Sequence, residues 1–283
     1  MRLYVMTTAL LAFAVAVGSD ETAGGKLPDL KPGETAVFVL DKGFMYPTFK
    51  NSKLFNVAGT VALIVDVDSA GTRRLIVHDT GLPGTQATPI CKSLKKLGLT
   101  PEDVTNVVNS QIHPDHIGNN HMFGNAVFGM GEYHDDTLDF DKLAARPNLQ
   151  DGPRAVPLTD NVVMVATPSR WGSAMATSLV VKNVVNRESK GVGEKATVAL
   201  VGDLFVDKNA MVEGDDDRRA SLVGEVGDSD AINLLKDQQL DSRQYLICGD
   251  GDDEDTPAAE YIVPGHGDIF SVTDEYKQRL CQI

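Results

Sequence analysis

Two histidines and an aspartate fall within four residues of the stretch SQIHPDHIGNN, residues 110–120: His113, Asp115 and His116. Imidazole nitrogens and carboxylate oxygens suit Zn²⁺ or Fe²⁺, and packing does not account for three of them on one short loop. Three more polar residues stand where apolar runs end: Asp79 after LIVH, Asp203 after VALVG and His266 after YIVPG. Side chains at the C-terminal ends of separate strands can converge on one edge, so these residues are candidates for a single N/O metal site. His78, His121 and His134 fall outside the pattern and read as non-ligands, the ordinary role of an isolated histidine. Strand alternation points His78 to the face opposite Asp79.

The elements that must carry these residues follow from periodicity. TAVFVL (35–40), GTVALIVDVD (59–68), RRLIVHDTG (73–81) and TNVVNSQ (105–111) read as strands, the middle two as a hairpin. Ile90, Leu94 and Leu97 recur at helical spacing before Gly98, which predicts a helix that stops there. NAVFGM, NVVMVATP, ATSLVVKNVV, TVALVGDLF and EYIVPGHGD continue the strands, with a helical region over 229–240. Strands thus come in two runs, each followed by helix, which predicts an α/β layered fold with two sheets rather than one doubly wound sheet. The acidic runs EGDDD (213–217) and DGDDED (250–255) read as solvated loops; the second lacks the Gly and Glu of an EF-hand loop.

Taken together, QIHPDHIGN, HDTG, VGDLF and VPGHG resemble the metallo-β-lactamase fold superfamily, in order and spacing from about residue 35 to 272. The resemblance implies a four-layer αβ/βα sandwich over 34–283, with metal in the cleft along the edge between the sheets. It also implies two ion positions. The first takes the places of Gln111, His113 and, in ATPSRWG, Arg170; two of its three imidazoles are missing here. The second takes Asp115, His116 and His266, with Asp203 able to bridge both ions, and Asp79 orients a ligand imidazole such as His116. A neutral amide is a weak ligand and a guanidinium is none, so the resemblance implies one retained ion: Zn²⁺, with Fe or Mn as alternatives. Arg170 either replaces the missing cation's charge, pairing with Asp203 or facing an anionic substrate group, or is an ordinary loop residue. Trp171 beside it either walls the pocket or simply packs.

What the resemblance implies for function is metal-dependent hydrolysis of an ester, thioester, amide or phosphodiester bond, with Asp115 as the catalytic ligand that orients water. A secreted, non-catalytic binding protein on the same fold is the alternative, favoured by the two lost ligands. The formal net charge of −14 argues against nucleic acid as a partner and leaves a small-molecule or ester-type substrate. Residues 1–18, with Arg2, an apolar run and small residues after it, read as a secretory signal peptide, and 19–33 as a flexible lead-in. The expectation is an exported chain with no membrane contact once the signal is removed. Cys91, Cys248 and Cys281 allow one disulfide and an odd thiol, or three unpaired thiols.

Overall fold

The computed structural model describes residues 27–49, 55–130, 133–135, 155–169, 176–185, 195–211, 229–249 and 258–281. The signal peptide, the start of the lead-in, Arg170, Trp171 and both acidic runs lie outside the described residues, and for His134 only the backbone is described.

Strand alternation builds the molecule. In β1 (Glu34–Asp41), Val37 and Val39 face one way and Ala36 and Leu40 the other. In β4 (Val61–Val67), Ala62 and Ile64 oppose Leu63 and Val65 in the same manner. The inner set joins β1, β4, β5 (Arg73–His78) and β6 (Asn106–Asn109) to β10 (Val162–Ala166), β11 (Thr177–Val185), β12 (Lys195–Leu200) and β13 (Tyr261–Val263) in one buried cluster. Two outer clusters close the other faces. Ile90 and Leu94 of α1 (Ala87–Lys96) cover the first half. Leu246 and Ile247 of α3 (Ser229–Cys248), with Tyr276 and Leu280 of α4 (Asp274–Leu280), cover the second. Three apolar cores between four layers are the sandwich expected from sequence. A fully buried Ile64 or Leu179 contributes about 1.5–3 kcal/mol by leaving water.

The connection between the halves differs from the sequence reading. Among the described residues ten strands form one hydrogen-bonded path, and two more branch from it at β11, rather than two separate sheets. The halves meet where β1 runs parallel to β11, with Thr35 opposite Val184. Thr35 Oγ1 also donates to the Lys182 carbonyl at 2.6 Å. Within β11 the register with β12 shifts between Val181 and Val184, and Asn183 adopts φ +58°. That bulge turns the end of β11 onto β1, a local irregularity that no apolar period announces.

Two short elements flank the site. A separate hairpin pairs β2 (Phe44–Pro47) with β3 (Phe55–Ala58), and α2 (Pro114–Ile117) is a single helical turn with Pro at its start. Cys248 and Cys281 form a disulfide that ties α3 to the end of α4, and Cys91 is a free, exposed thiol.

Candidate metal centre

The site begins at the end of β5. Asp79 is a non-glycine residue at φ +59°, a left-handed conformation that aspartate tolerates better than most side chains. The turn breaks strand alternation, so His78 does not point away as sequence suggests: its Nδ1 lies 3.9 Å from Asp79 Oδ2, and both residues are buried. Asp79 Oδ1 accepts from the Ser110 backbone N–H at 2.7 Å, and Oδ2 accepts from Ser110 Oγ at 2.7 Å. Oδ2 also lies 2.7 Å from His116 Nδ1. A carboxylate on Nδ1 fixes the imidazole's tautomer and leaves Nε2 for a ligand. His116 is further held by its carbonyl, which accepts from Thr80 N–H at 2.6 Å and from Asn109 Nδ2 at 3.3 Å.

His116 Nε2 is buried and has no hydrogen-bond partner. It lies 3.5 Å from Asp115 Oδ2 and 3.5 Å from Asp203 Oδ1. His266 Nε2 lies 3.8 Å from the same Asp115 oxygen and 3.1 Å from the same Asp203 oxygen. Asp203 Oδ1 makes no hydrogen bond despite these approaches. His266 is aimed by its other nitrogen, which lies 2.9 Å from the Ala58 carbonyl at the foot of the β2–β3 hairpin. Ligands about 2.0–2.1 Å from a tetrahedral Zn²⁺ stand roughly 3.3–3.4 Å apart. The four nitrogen–oxygen distances bracket that value, and the two orphaned atoms are donors lacking only an ion. These residues fit a metal. Asp115, His116 and His266 alone offer one atom each, all within 4.8 Å of one another.

The backbone leaves room for this convergence at Gly265. A Cβ there would land on Asp203 Oδ1, so no side chain can replace this hydrogen. Asp203 itself sits in a 3-10 turn, Gly202–Phe205, fixed from behind by Arg243. Arg243 Nε and Nη2 donate to the Leu204 carbonyl at 3.0 and 2.7 Å.

Charge is balanced inside the cluster. Burial works against the His116 imidazolium, but Asp79 and Asp203 outweigh it and hold the ring well above the ordinary histidine range. His266 is raised as well: burial opposes its charge and Asp203 outweighs burial. Burial pushes the Asp203 carboxyl up, yet the His116 and His266 charges hold it well below the usual carboxylate range. Asp79 is lowered by the same contest, with His116 and His78 opposing burial. His78 moves the other way: burial lowers it, only partly offset by Asp79.

The first-ion side of the sequence reading is different. His113 caps α2 from an extended backbone (φ −65°, ψ 145°), and its side chain is exposed rather than gathered with Asp115, His116 and His266. Gln111 is buried and donates from Nε2 to Asp203 Oδ2 at 2.7 Å. Arg170, one candidate partner for Asp203 from sequence, lies outside the described residues; among those described, Gln111 donates to that oxygen. His121 is exposed and apart from the group. Ser110 and Asn109, which hold Asp79 and His116, escaped the sequence reading, although two polar residues ending a buried strand were a visible signal.

Comparison with known proteins bears on the same residues. Residues 56–158 match the family model described as Metallo-beta-lactamase superfamily, a span that includes Asp79 and the 110–120 loop. Metallo-beta-lactamase domain-containing protein 1 of Xenopus laevis is 29% identical over 237 residues, 84% of this chain and 82% of that protein. An uncharacterized protein of Caenorhabditis elegans is 26% identical over 225 residues, 78% of this chain; the chain spans about half of that relative, 51%. Among solved structures, a quorum-quenching N-acyl homoserine lactone lactonase is similar with 17% sequence identity and a TM-score of 0.47, over 84% of this chain and 94% of that one.

Proposed function

Residues 56–158 give this chain a metallo-β-lactamase superfamily domain, and from that premise we propose a metal-dependent hydrolase-type protein with one ion site. The observation that carries this reading is the pair of buried, unpartnered atoms, His116 Nε2 and Asp203 Oδ1, with Asp115 and His266 at tetrahedral distances from them. Zn²⁺ suits two imidazoles and two carboxylates. An ion in this donor set supplies Lewis acidity toward a carbonyl or phosphoryl oxygen and acidifies water at neutral pH.

The chain's own residues divide the remaining work. Asp79 keeps the His116 proton on Nδ1, and the Ala58 carbonyl does the same for His266. Asp115 keeps 12% of its side chain open, so it can both ligate and accept a proton from an approaching water. The substrate class we propose is a small ester, thioester, amide or phosphodiester; a net charge of −14 gives no electrostatic footing for nucleic acid. A binding protein on the same fold is the second reading, favoured by the outward His113 and by the Gln111 amide on Asp203.

Metal content of the purified chain tests the site. We expect one equivalent, lost in Asp115→Ala; a metal-free wild type rules the site out. Turnover of any member of a panel of ester, thioester, lactam and phosphodiester substrates then favours the hydrolase over the binding protein.

Export through a signal peptide is proposed as well. The Cys248–Cys281 disulfide supports it, since such bonds persist in oxidising compartments. Thiol titration of the denatured, unreduced chain should find one reactive cysteine, Cys91; three would remove this support.

A further inference from the structure

We infer that Arg243, on helix α3, is a positioning residue for two metal donors at once, Asp203 and His266. The inference rests on the one-ion reading above and concerns what holds half of that donor set in place.

Arg243 is only 8% exposed, and a charge so hidden is kept where it is paired or hydrogen-bonded. Its Nε and Nη2 both donate to the Leu204 carbonyl, at 3.0 and 2.7 Å. Its guanidinium carbon lies 4.5 Å from the centre of the Phe205 ring, a cation–π distance. Leu204 and Phe205 directly follow Asp203 in the buried turn Gly202–Phe205. The same turn holds the second donor. Gly265 N–H donates to the Gly202 and Phe205 carbonyls at 2.8 and 3.1 Å, and His266 N–H donates to the Val206 carbonyl at 2.7 Å. Carbonyls before and after Leu204 thus grip the segment that carries His266, while that of Leu204 goes to Arg243. Turn and segment form one unit, and Arg243 fastens it to α3. Helix α3 is anchored in its turn. Gln244 Nε2 donates to the Leu280 carbonyl of α4 at 3.0 Å, and Cys248–Cys281 joins the two helices. Tyr276 of α4 meets the Phe205 ring at 6.3 Å. Asp115 and His116 have separate supports, in α2 and through Asp79. Arg243 acts through the backbone of the turn and not as a ligand, since a guanidinium stays protonated.

The test uses the full chain, stripped of metal and titrated with Zn²⁺, and with Co²⁺ for its visible spectrum. Arg243→Met keeps an unbranched apolar stem and removes the fork of donors. Zinc affinity should fall about 10–100-fold, the usual range for loss of a partner behind a metal ligand. The cobalt spectrum should change, because Asp203 and His266 shift together. Electrostatics alone gives the opposite sign, since removing a cation behind the site favours an incoming one. Arg243→Lys keeps the charge but not the fork, and should recover part of the affinity. Gln244→Ala loosens the same helix pair by removing the bond to Leu280 rather than one to the turn. Its melting temperature should fall, with zinc affinity and cobalt spectrum as in wild type. Arg243 variants that melt lower yet bind zinc and cobalt like wild type overturn the inference. So does Gln244→Ala if it loses as much affinity as Arg243→Met. If Arg243→Met does not fold, Arg243→Lys decides alone: weaker zinc binding with a changed cobalt spectrum supports the inference, and wild-type values overturn it. A wild type that takes up no metal defeats the one-ion reading itself, which is a distinguishable failure.

Discussion

Asp66 and Asp203 are both buried, but they lie at opposite ends of the space between the sheet halves. Asp66 stands opposite Arg74 at the start of β5, whereas Asp79 and the metal cluster lie beyond its other end. At the Asp66 end the neighbours are mainly amides, with the Thr159 hydroxyl and Arg74 nearby. Asn161 Nδ2 donates to Asp66 Oδ1 at 2.8 Å, and Asn183 Nδ2 donates to Asn161 Oδ1 at 2.9 Å. Burial dominates there and raises the Asp66 carboxyl, with Asn161 only partly opposing. At the Asp203 end the neighbours are imidazoles, and they overcome burial in the other direction. The same side chain, buried in both places, is pushed toward a neutral acid at one end and held as an anion at the other. What separates the two ends is the partner chemistry, not burial: at Asp66 one oxygen takes an amide hydrogen and the other has no partner, whereas two imidazoles and the Asp115 carboxylate converge with Asp203 in a donor set that fits a cation.

The largest effects should break this symmetry outright. His116→Ala removes a ligand, and bound metal should fall from one equivalent toward none. Asp66→Asn should leave metal content at the wild-type level. Equal losses in both, measured by elemental analysis, would mean that the two ends are one coupled unit and the comparison is void.

A smaller effect follows from the raised histidines. In the metal-free protein His116 and His266 carry protons above the ordinary histidine range. The stability their ion pairs contribute is complete below the unfolded histidine pKa and is lost as pH rises through the raised folded values. An ion must displace those same protons, so zinc affinity should climb with pH through and beyond the ordinary histidine range. Calorimetry in buffers of different ionisation heat should find about one to two protons released per zinc at neutral pH. Release near zero would show that the two rings are already neutral.

Much of this site was legible in the sequence because strand ends are legible. Asp79, His116, Asp203 and His266 could be placed on one rim from apolar runs alone. What was hidden depends on single backbone angles and on hydrogen bonds between distant residues. His113 looks like a ligand by spacing, yet an extended N-cap turns it outward. The left-handed Asp79 brings His78 beside it, against the alternation rule. The Gln111–Asp203 bond joins residues 92 positions apart, which no local pattern encodes. Helix α3 runs on to Cys248, beyond the expected 240, because its buried face there mixes Ser242 and Arg243 with Leu246 and Ile247 and masks the apolar period. The β2–β3 hairpin was missed for a similar reason: Phe44 and Tyr46 are exposed, so its strands show no buried alternation.

The smallest expected effect sharpens the comparison from the other end. Asp66 is an acid whose folded pKa is raised. Its contribution to stability is therefore complete below the unfolded carboxyl pKa and falls away as pH rises through the folded value, because burial of the ionised form outweighs the help of Asn161, Thr159 and Arg74. Asp66→Asn removes that liability while an amide oxygen still accepts from Asn161. At neutral pH the metal-free variant should melt about 2–4 °C above wild type, the shift that roughly 1 kcal/mol produces in a chain of this size. The gain should vanish in acid, once Asp66 is protonated in the wild type. Asp203→Asn should show the reverse sign at neutral pH, since the depressed Asp203 stabilises the metal-free fold above the ordinary carboxyl range and loses that role as pH falls. Thermal melts of the two variants across pH check both signs together. Curves that shift in the same direction would show that burial alone governs these carboxyls and that the imidazoles around Asp203 do not set it apart.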